Sequence, residues 1–255
     1  MGTLHNLYVG CGDTSIILTD SKTFIIDCYN VENHVNLLPR NKIITALFIT
    51  HQHYDHFLGM KYLKDNKYSI QYLIYSPYER RREDNSVQYE EWQEFNSLVS
   101  HFKKNGSKEY TPMRQSSFDK PWWKIDGLGF WMLGPEKHIS ESSTRELHDA
   151  CLVFCVDMGS RRCCFTGDAS DTSLNWIANN TKNYCNDILH ASHHGSLNGA
   201  DLDFIKKANA KYTVISTESG VHNSVPHQTA IKRYKDNTKD VVYRTDIDGN
   251  IKWHF

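Results

Sequence analysis

The chain has 255 residues, of which 39% are hydrophobic and 23% charged, enough to bury one large core or two small ones and too apolar for a disordered chain. A formal net charge of −1 excludes a protein that coats nucleic acid by bulk basicity, although a local basic groove is compatible with it. No apolar run approaches the ~18 residues of a membrane span, and the N-terminal MGTLHNLYVG lacks the basic-then-apolar pattern of a secretory signal, so no membrane association is expected.

In chain order, residues 4–9, 15–19 and 23–27 read as short strands separated by turn residues such as Gly10, Gly12, Asp13, Asp20 and Ser21. Residues 31–38 read as a helix stopped by Pro39, and the apolar run 44–50 as a buried strand. A helix is expected over 57–65, with Leu58, Tyr62 and Leu63 as its apolar residues. Residues 78–120 break the pattern. They are charged and aromatic, and they contain a predicted long helix with Tyr89, Trp92, Phe95, Leu98, Val99 and Phe102 on one stripe. Such a stripe suits a surface helix packed on the core or a cap facing a substrate, and the segment is expected to be a helical insertion in a single domain spanning 1–255.

Strands resume at 128–133, 150–158 and 161–167, with Gly159–Ser160 as a hairpin turn between the last two. Strands at 186–192, 212–217, 240–245 and 250–255 and helices near 171–179, 201–208 and 228–235 complete the reading. Two groups of strands, one in each half and each with helices, predict an α/β layered fold with mixed sheets rather than a regular βαβ array. The seven cysteines are odd in number and form no CxxC, so most are read as buried small hydrophobes and the expected compartment is the reducing cytoplasm.

Histidine is the unusual residue, with 14 copies. The central motif is His51-Gln52-His53-Tyr54-Asp55-His56, directly after the strand 44–50. His51 and His53 alternate and can face one point, while Asp55 and His56 can face a second. Imidazole and carboxylate are the ligands a Zn²⁺-like ion takes. Thr166-Gly167-Asp168 closes the predicted hairpin, and a carboxylate there could bridge two metals, although a Gly-Asp pair is also an ordinary turn. His148, next to Asp149, precedes the strand 150–158 and is a further candidate ligand. His193-His194-Gly195-Ser196 again follows a strand; one ring could bind metal and the other a phosphate or a ligand. His227, in Asn223-Ser224-Val225-Pro226-His227, could be a ligand, a general acid, a phosphate contact or simply a residue at a helix start.

With these motifs the chain resembles the metallo-β-lactamase-fold hydrolases, whose HxHxDH, intermediate His, Gly-Asp and later His it reproduces. More closely it resembles the hydrolase domain of the competence DNA-uptake protein ComEC and its stand-alone relatives. It shares Val9-Gly10-Cys11-Gly12-Asp13, a strand ending in Asp27, Phe165-Thr166-Gly167-Asp168, His193 to Ser196, Asn223 to His227, and Thr245 to Ile251. It departs at Cys11, where the subgroup usually has Gln, at Leu58-Gly59, and at His148, which resembles the fuller ligand set of phosphorylcholine esterases. His53 stands where flavodiiron proteins carry Glu, which favours hydrolysis over redox chemistry.

The resemblance implies a four-layer αββα sandwich and two divalent ions, Zn or Mn. One would sit on His51, His53 and His148, the other on Asp55, His56 and His194, with Asp168 bridging and Asp27 orienting a ligand ring. Asp55, His193 and His227 are the implied catalytic residues, the two histidines as candidate acids for the leaving oxygen. The implied activity is phosphodiester cleavage, with a nucleic acid, DNA first, as the expected partner. Lys61, Lys64, Lys67 and Arg80 to Arg82 would form a basic rim, and Tyr54, Tyr78, Trp122 or Trp123 would stack on bases. The alternatives are a small-molecule phosphodiesterase or esterase, or a metal-stabilised component that works with protein partners in a larger assembly.

Overall fold

Apolar residues on both faces of most strands require cover on both sides, and the chain meets that need with two sheets packed face to face and helices outside each. The computed structural model describes residues 1–255. The strands β1 (Thr3–Asn6), β2 (Thr14–Leu18), β3 (Thr23–Cys28), β4 (Ile43–Ile49), β5 (Ser69–Tyr75) and β6 (Lys108–Tyr110) lie side by side in sequence order. The strands β7 (Trp123–Ile125), β8 (Leu128–Gly134), β9 (Val153–Asp157), β10 (Arg162–Phe165), β11 (Ile188–His190), β12 (Tyr212–Ile215) and β13 (Val241–Arg244) do the same in the second sheet. The last strand, β14 (Ile251–His254), returns to the first sheet and pairs antiparallel with β1. Each sheet is mixed: antiparallel up to β3 or β10, then parallel.

The helices α1 (Tyr54–Phe57), α2 (Gly59–Asp65) and α3 (Tyr89–Lys104) cover the first sheet. The short α4 (Lys137–Ser140) follows β8; α5 (Asp171–Asn180), α6 (Leu202–Ala208) and α7 (Gln228–Asn237) cover the second sheet, and α8 (Thr245–Asp248) precedes β14. Strand β4 shows how the layers are encoded. Leu47 and Ile49 face Phe57 and Phe95 under the helices, while Ala46 and Phe48 face the other sheet. The Phe48 ring stacks on Phe130 and Phe154 at centroid distances of 5.0 and 4.9 Å. No helix is long and apolar enough to cross a membrane.

Several boundaries differ from the sequence reading. Residues 31–37 form a 3-10 rather than an α-helix. The expected helix over 57–65 begins earlier, as α1 and α2 joined at Leu58. Residues 147–150 form a 3-10 turn, so β9 starts only at Val153. Strands β5, β6 and β7 were not anticipated; β6 and β7 have three residues each, too short for a periodic signal. Within 78–120 the only long helix is α3, and its Phe95, Leu98, Val99 and Phe102 are buried against the first sheet.

Candidate metal centre

The loops that carry the histidine and aspartate motifs leave the C-terminal ends of β4, β10 and β11, so they meet at one end of the sandwich, as expected where parallel strands end together. After β4, His51 is fully buried and α1 turns Asp55 and His56 inward. After β10, Gly167 has φ +46°, and a Cβ there would sit 2.5 Å from Thr50 Oγ1, so glycine lets the Asp168 turn close onto the first motif. After β11, His193 and His194 have φ of +53° and +51°, a conformation that L residues with side chains adopt at a cost.

Hydrogen bonds fix the rings. His53 Nε2–H donates to the Ser86 carbonyl at 2.8 Å, which turns Nδ1 toward His51 Nε2 at 3.1 Å. His56 Nδ1–H donates to Asp27 Oδ2 at 2.9 Å, and Thr50 N–H and Oγ1–H hold the same carboxylate at 2.7 Å each. His194 Nδ1–H donates to the Ser216 carbonyl at 3.1 Å, so the Nε2 atoms of His56 and His194 face each other at 3.3 Å. Asp168 lies between the two groups, with Oδ1 3.3 Å from His56 Nε2 and Oδ2 3.6 to 3.8 Å from His194, His193 and His51. Asp55 Oδ2 is 3.3 Å from His194 Nε2.

These residues fit metal ions. Two nitrogen ligands ~2.0–2.1 Å from one tetrahedral ion stand about 3.3 Å apart, close to both ring-to-ring separations. Lone pairs aimed at each other across such gaps repel unless a cation or a proton lies between. His148 Nε2, Asp168 Oδ1 and His193 Nδ1 are buried without a hydrogen-bond partner. The groups that can converge on an ion are His51, His53 and His148; His148, Asp168 and His193; and Asp13, His56, Asp168 and His194.

Electrostatics divide the rings. Burial holds His51 well below its ordinary pKa and pushes His148 down to about 3, so both stay neutral with lone pairs available. Burial also opposes charge on His194 and His56, but Asp168 and its neighbouring carboxylates outweigh it. They raise His194 to about 10 and His56 well above its usual value. Burial works against the Asp55 carboxylate, yet His56 and His194 hold it at about 2.

His51, His53, Asp55, His56, His148, Asp168 and His194 are therefore brought together, and His193 stands at the edge, its ring 4.7 Å from that of His148. His227 is tied to the same loop by its backbone, whose N–H donates to the Gly195 carbonyl at 2.8 Å, but its side chain makes no hydrogen bond or ion pair with the cluster; its Nδ1 accepts from Thr229 N–H as the cap of α7. One expectation about the rim fails and another is met only in part. Tyr78 is buried, and Trp123 packs against Phe24, Phe48 and Phe130, with Trp122 beside it, so of the four proposed stacking residues only Tyr54 lines a cleft near the cluster. The basic rim is also partly spent: Lys61 pairs with Glu94, Arg80 donates to the Val87 carbonyl, and Arg81 to the Glu141 and Ser142 carbonyls. A cleft of about 910 Å³ beside His53 and Asp55 is instead acidic, with Glu91, Glu94 and Glu218 on its walls. A second opening, about 750 Å³, reaches His148 between Arg81, Arg82 and Arg145 and the carboxylates of Glu83, Asp84 and Glu146. Sequence reading missed Asp13 as a member of the cluster, because an Asp in the Gly10–Asp13 segment reads as a turn residue and only distant packing buries it.

Two mixed sheets between helix layers, with a His/Asp cluster at the strand ends, define a metal-dependent hydrolase. Residues 10–219 match the family model of the metallo-beta-lactamase superfamily, and the chain belongs to that superfamily. No curated protein sequence matches significantly. Among solved structures, the metallo-beta-lactamase fold protein YhfI from Bacillus subtilis is 13% identical with a TM-score of 0.57, the match covering 99% of each chain. CmlA, a diiron β-hydroxylase from Streptomyces venezuelae, is 14% identical with a TM-score of 0.61 over 100% of this chain and 54% of that one. A diphosphatase of the PhnP family is 13% identical with a TM-score of 0.54 over 99% and 98%. At these identities the likeness is one of fold.

Proposed function

We propose that the chain is a two-metal phosphodiesterase of ComEC-like type, acting as a nuclease with DNA as the favoured polymer. The observation that carries this reading is Asp168, whose two oxygens face His56 on one side and His51, His193 and His194 on the other. In this reading His51, His53 and His148 hold one divalent ion, Zn or Mn, Asp55, His56 and His194 hold the second, and Asp168 lies between them. Bound, such a pair supplies Lewis acidity to a phosphoryl oxygen and makes water nucleophilic at neutral pH. The chain's own contribution is preorganisation: Ser86, Asp27 and Ser216 lock three rings, so none has to turn during the reaction. Cleavage of the ester P–O bond leaves an oxygen that needs a proton. His193 is the better-placed donor, with a side chain 25% exposed and its Nε2 3.7 Å from Asp168, whereas no side-chain contact links His227 to the cluster.

The ComEC-like motifs support a phosphate backbone as ligand; of the arginines beside His148, Arg81 is held by the Glu141 and Ser142 carbonyls and Arg145 by Asp84, which leaves Arg82 as the candidate phosphate contact. Residues 1–255 are read as one catalytic unit in which 78–91 walls the cluster, through Ser86 on His53 and Glu91 on the Tyr54 amide. Seven free, buried cysteines suit a reducing cytoplasm. A second reading, hydrolysis of a small phosphodiester, is favoured by the acidic cleft, which repels a polyanion. Labelled single- and double-stranded DNA and RNA and a chromogenic small phosphodiester, each with Mn²⁺ or Zn²⁺, separate the two. Wild type is expected to cut a polymer, and Asp168→Ala to lose at least ~100-fold of that activity. Turnover of the small ester alone supports the second reading, and chelator-resistant cleavage overturns both.

A further inference from the structure

One buried charge is left unused by the proposed chemistry. Asp13 ends the turn between β1 and β2, and it is 4% exposed. Its backbone N–H donates to the Asp55 carbonyl at 3.0 Å, which ties this turn to the loop bearing His51 to His56. Its side chain lies behind the second group of rings. Oδ2 is 3.9 Å from His56 Nδ1, and Oδ1 is 3.7 Å from His194 Nδ1 and 3.8 Å from His190 Nε2. Oδ1 is buried and has no hydrogen-bond partner.

A dry, unpaired carboxylate oxygen is costly unless a positive charge compensates it. Two of the three nearby rings have their facing donor committed elsewhere, His56 Nδ1–H to Asp27 and His194 Nδ1–H to the Ser216 carbonyl, and His190 Nε2, at 3.8 Å, lies beyond hydrogen-bond distance. At 3.7 to 3.9 Å the three rings meet Asp13 by charge rather than by a hydrogen bond, and His56 and His194 are the two that also face the centre. Four carboxylates, those of Asp13, Asp27, Asp55 and Asp168, stand 2.9 to 3.9 Å from the imidazole nitrogens of the cluster. With neutral rings they carry four negative charges, which matches two dications.

We propose that Asp13 is a positioning residue for the second cation, its charge acting through His56 and His194 to complete the neutralisation of a two-dication centre. The proposal rests on the two-metal reading above. Asp13 touches no substrate in this account. A neutral residue at position 13 leaves one uncompensated positive charge in a buried centre. That penalty falls on the ion held by His56 and His194, because His51, His53 and His148 make no contact with Asp13.

The test is metal titration of the full chain after chelator stripping, by calorimetry and elemental analysis, with Mn²⁺ and with Zn²⁺. Wild type, Asp13→Asn, Asp13→Ser and His190→Gln are compared, and thermal melts of the stripped proteins report folding. Wild type is expected to bind two ions. Asp13→Asn and Asp13→Ser are expected to keep the first ion at wild-type affinity and to bind the second about 10- to 100-fold more weakly. His190→Gln, which leaves the carboxylate in place, is expected to keep both ions. Wild-type affinity for both ions in a neutral variant, equal weakening of both, or the same loss in His190→Gln overturns the proposal. If Asp13→Asn does not fold, Asp13→Ser decides; if neither folds, Asp13 is a folding residue and the proposal fails. Fewer than two ions in wild type would overturn the two-metal reading itself.

Discussion

In His53, His56 and His194 one ring nitrogen faces the centre because the other is occupied. Asp27 shows this most clearly, since it accepts from His56 Nδ1, Thr50 N–H and Thr50 Oγ1 at once. In Asp27→Asn an amide NH₂ has to confront one of these donors, so metal affinity and phosphodiester turnover should each fall about 10- to 100-fold, measurable by titration and by initial rates. The raised pKa values of His56 and His194 carry a second expectation. In the metal-free protein a ring held at about 10 keeps its proton well above the ordinary 6.5, and a cation must displace that proton to bind. Loading at pH 8 should therefore release protons, and apparent affinity should rise with pH until about 10. Calorimetry in two buffers of different ionisation enthalpy reads the release, and identical heats would contradict protonated rings. His148, pushed down to about 3 by burial, contributes none of these protons.

At the scale of elements, α1, α2 and α3 position the first motif by packing. A Cβ on Gly59 would stand 1.7 Å from the Cys28 carbonyl oxygen, at the end of β3 just beyond Asp27. Gly59→Ala must push α2 away from that strand end, with a cost of about 1–3 kcal/mol or more in denaturant unfolding and weaker metal binding. Helix α3 shows the same logic from the other side. Its apolar stripe was legible in the sequence, but whether the stripe faced the core or a ligand was not, because periodicity marks an apolar face without naming what covers it. The structure places Phe95 against Phe57 and Tyr75, at centroid distances of 5.1 and 5.4 Å. Phe95→Ala should cost about 3–5 kcal/mol of stability by chemical denaturation.

For the whole molecule, the two halves meet at the metal centre and in the inter-sheet core, so ligation there should stabilise the entire fold. An ion at 100 times its Kd adds about 2.7 kcal/mol, and each kcal/mol shifts Tm by roughly 2–4 °C in a chain of this size. Chelation is therefore expected to lower the Tm of the loaded protein by roughly 5–10 °C per ion lost, and scanning calorimetry with and without chelator checks it. An unchanged Tm would mean that no ion is held by the folded state.

The sequence by itself carried the superfamily's His/Asp motifs and the class of architecture. His51 to His56 sit within six residues of one another after an apolar strand, so their side chains start close together, although Ser86 and Asp27 from distant segments then fix the rings of His53 and His56. The same holds for Thr166 to Asp168 and for the paired His193 and His194, and alternating apolar runs were enough to predict two mixed sheets with helices. Everything that depended on distant segments was decided only by the tertiary structure. The C-terminal strand joins the first sheet across nearly the whole chain, where Trp253 Nε1–H donates to Asn6 at 2.9 Å. Trp123 is spent on the inter-sheet core, and Glu218 joins Glu91 and Glu94 to make the cleft acidic. Asp13 reaches His190 and His194 from the first hairpin. Such contacts are set by long-range packing and buried-charge compensation, and a single sequence carries no periodic or spacing signal for either.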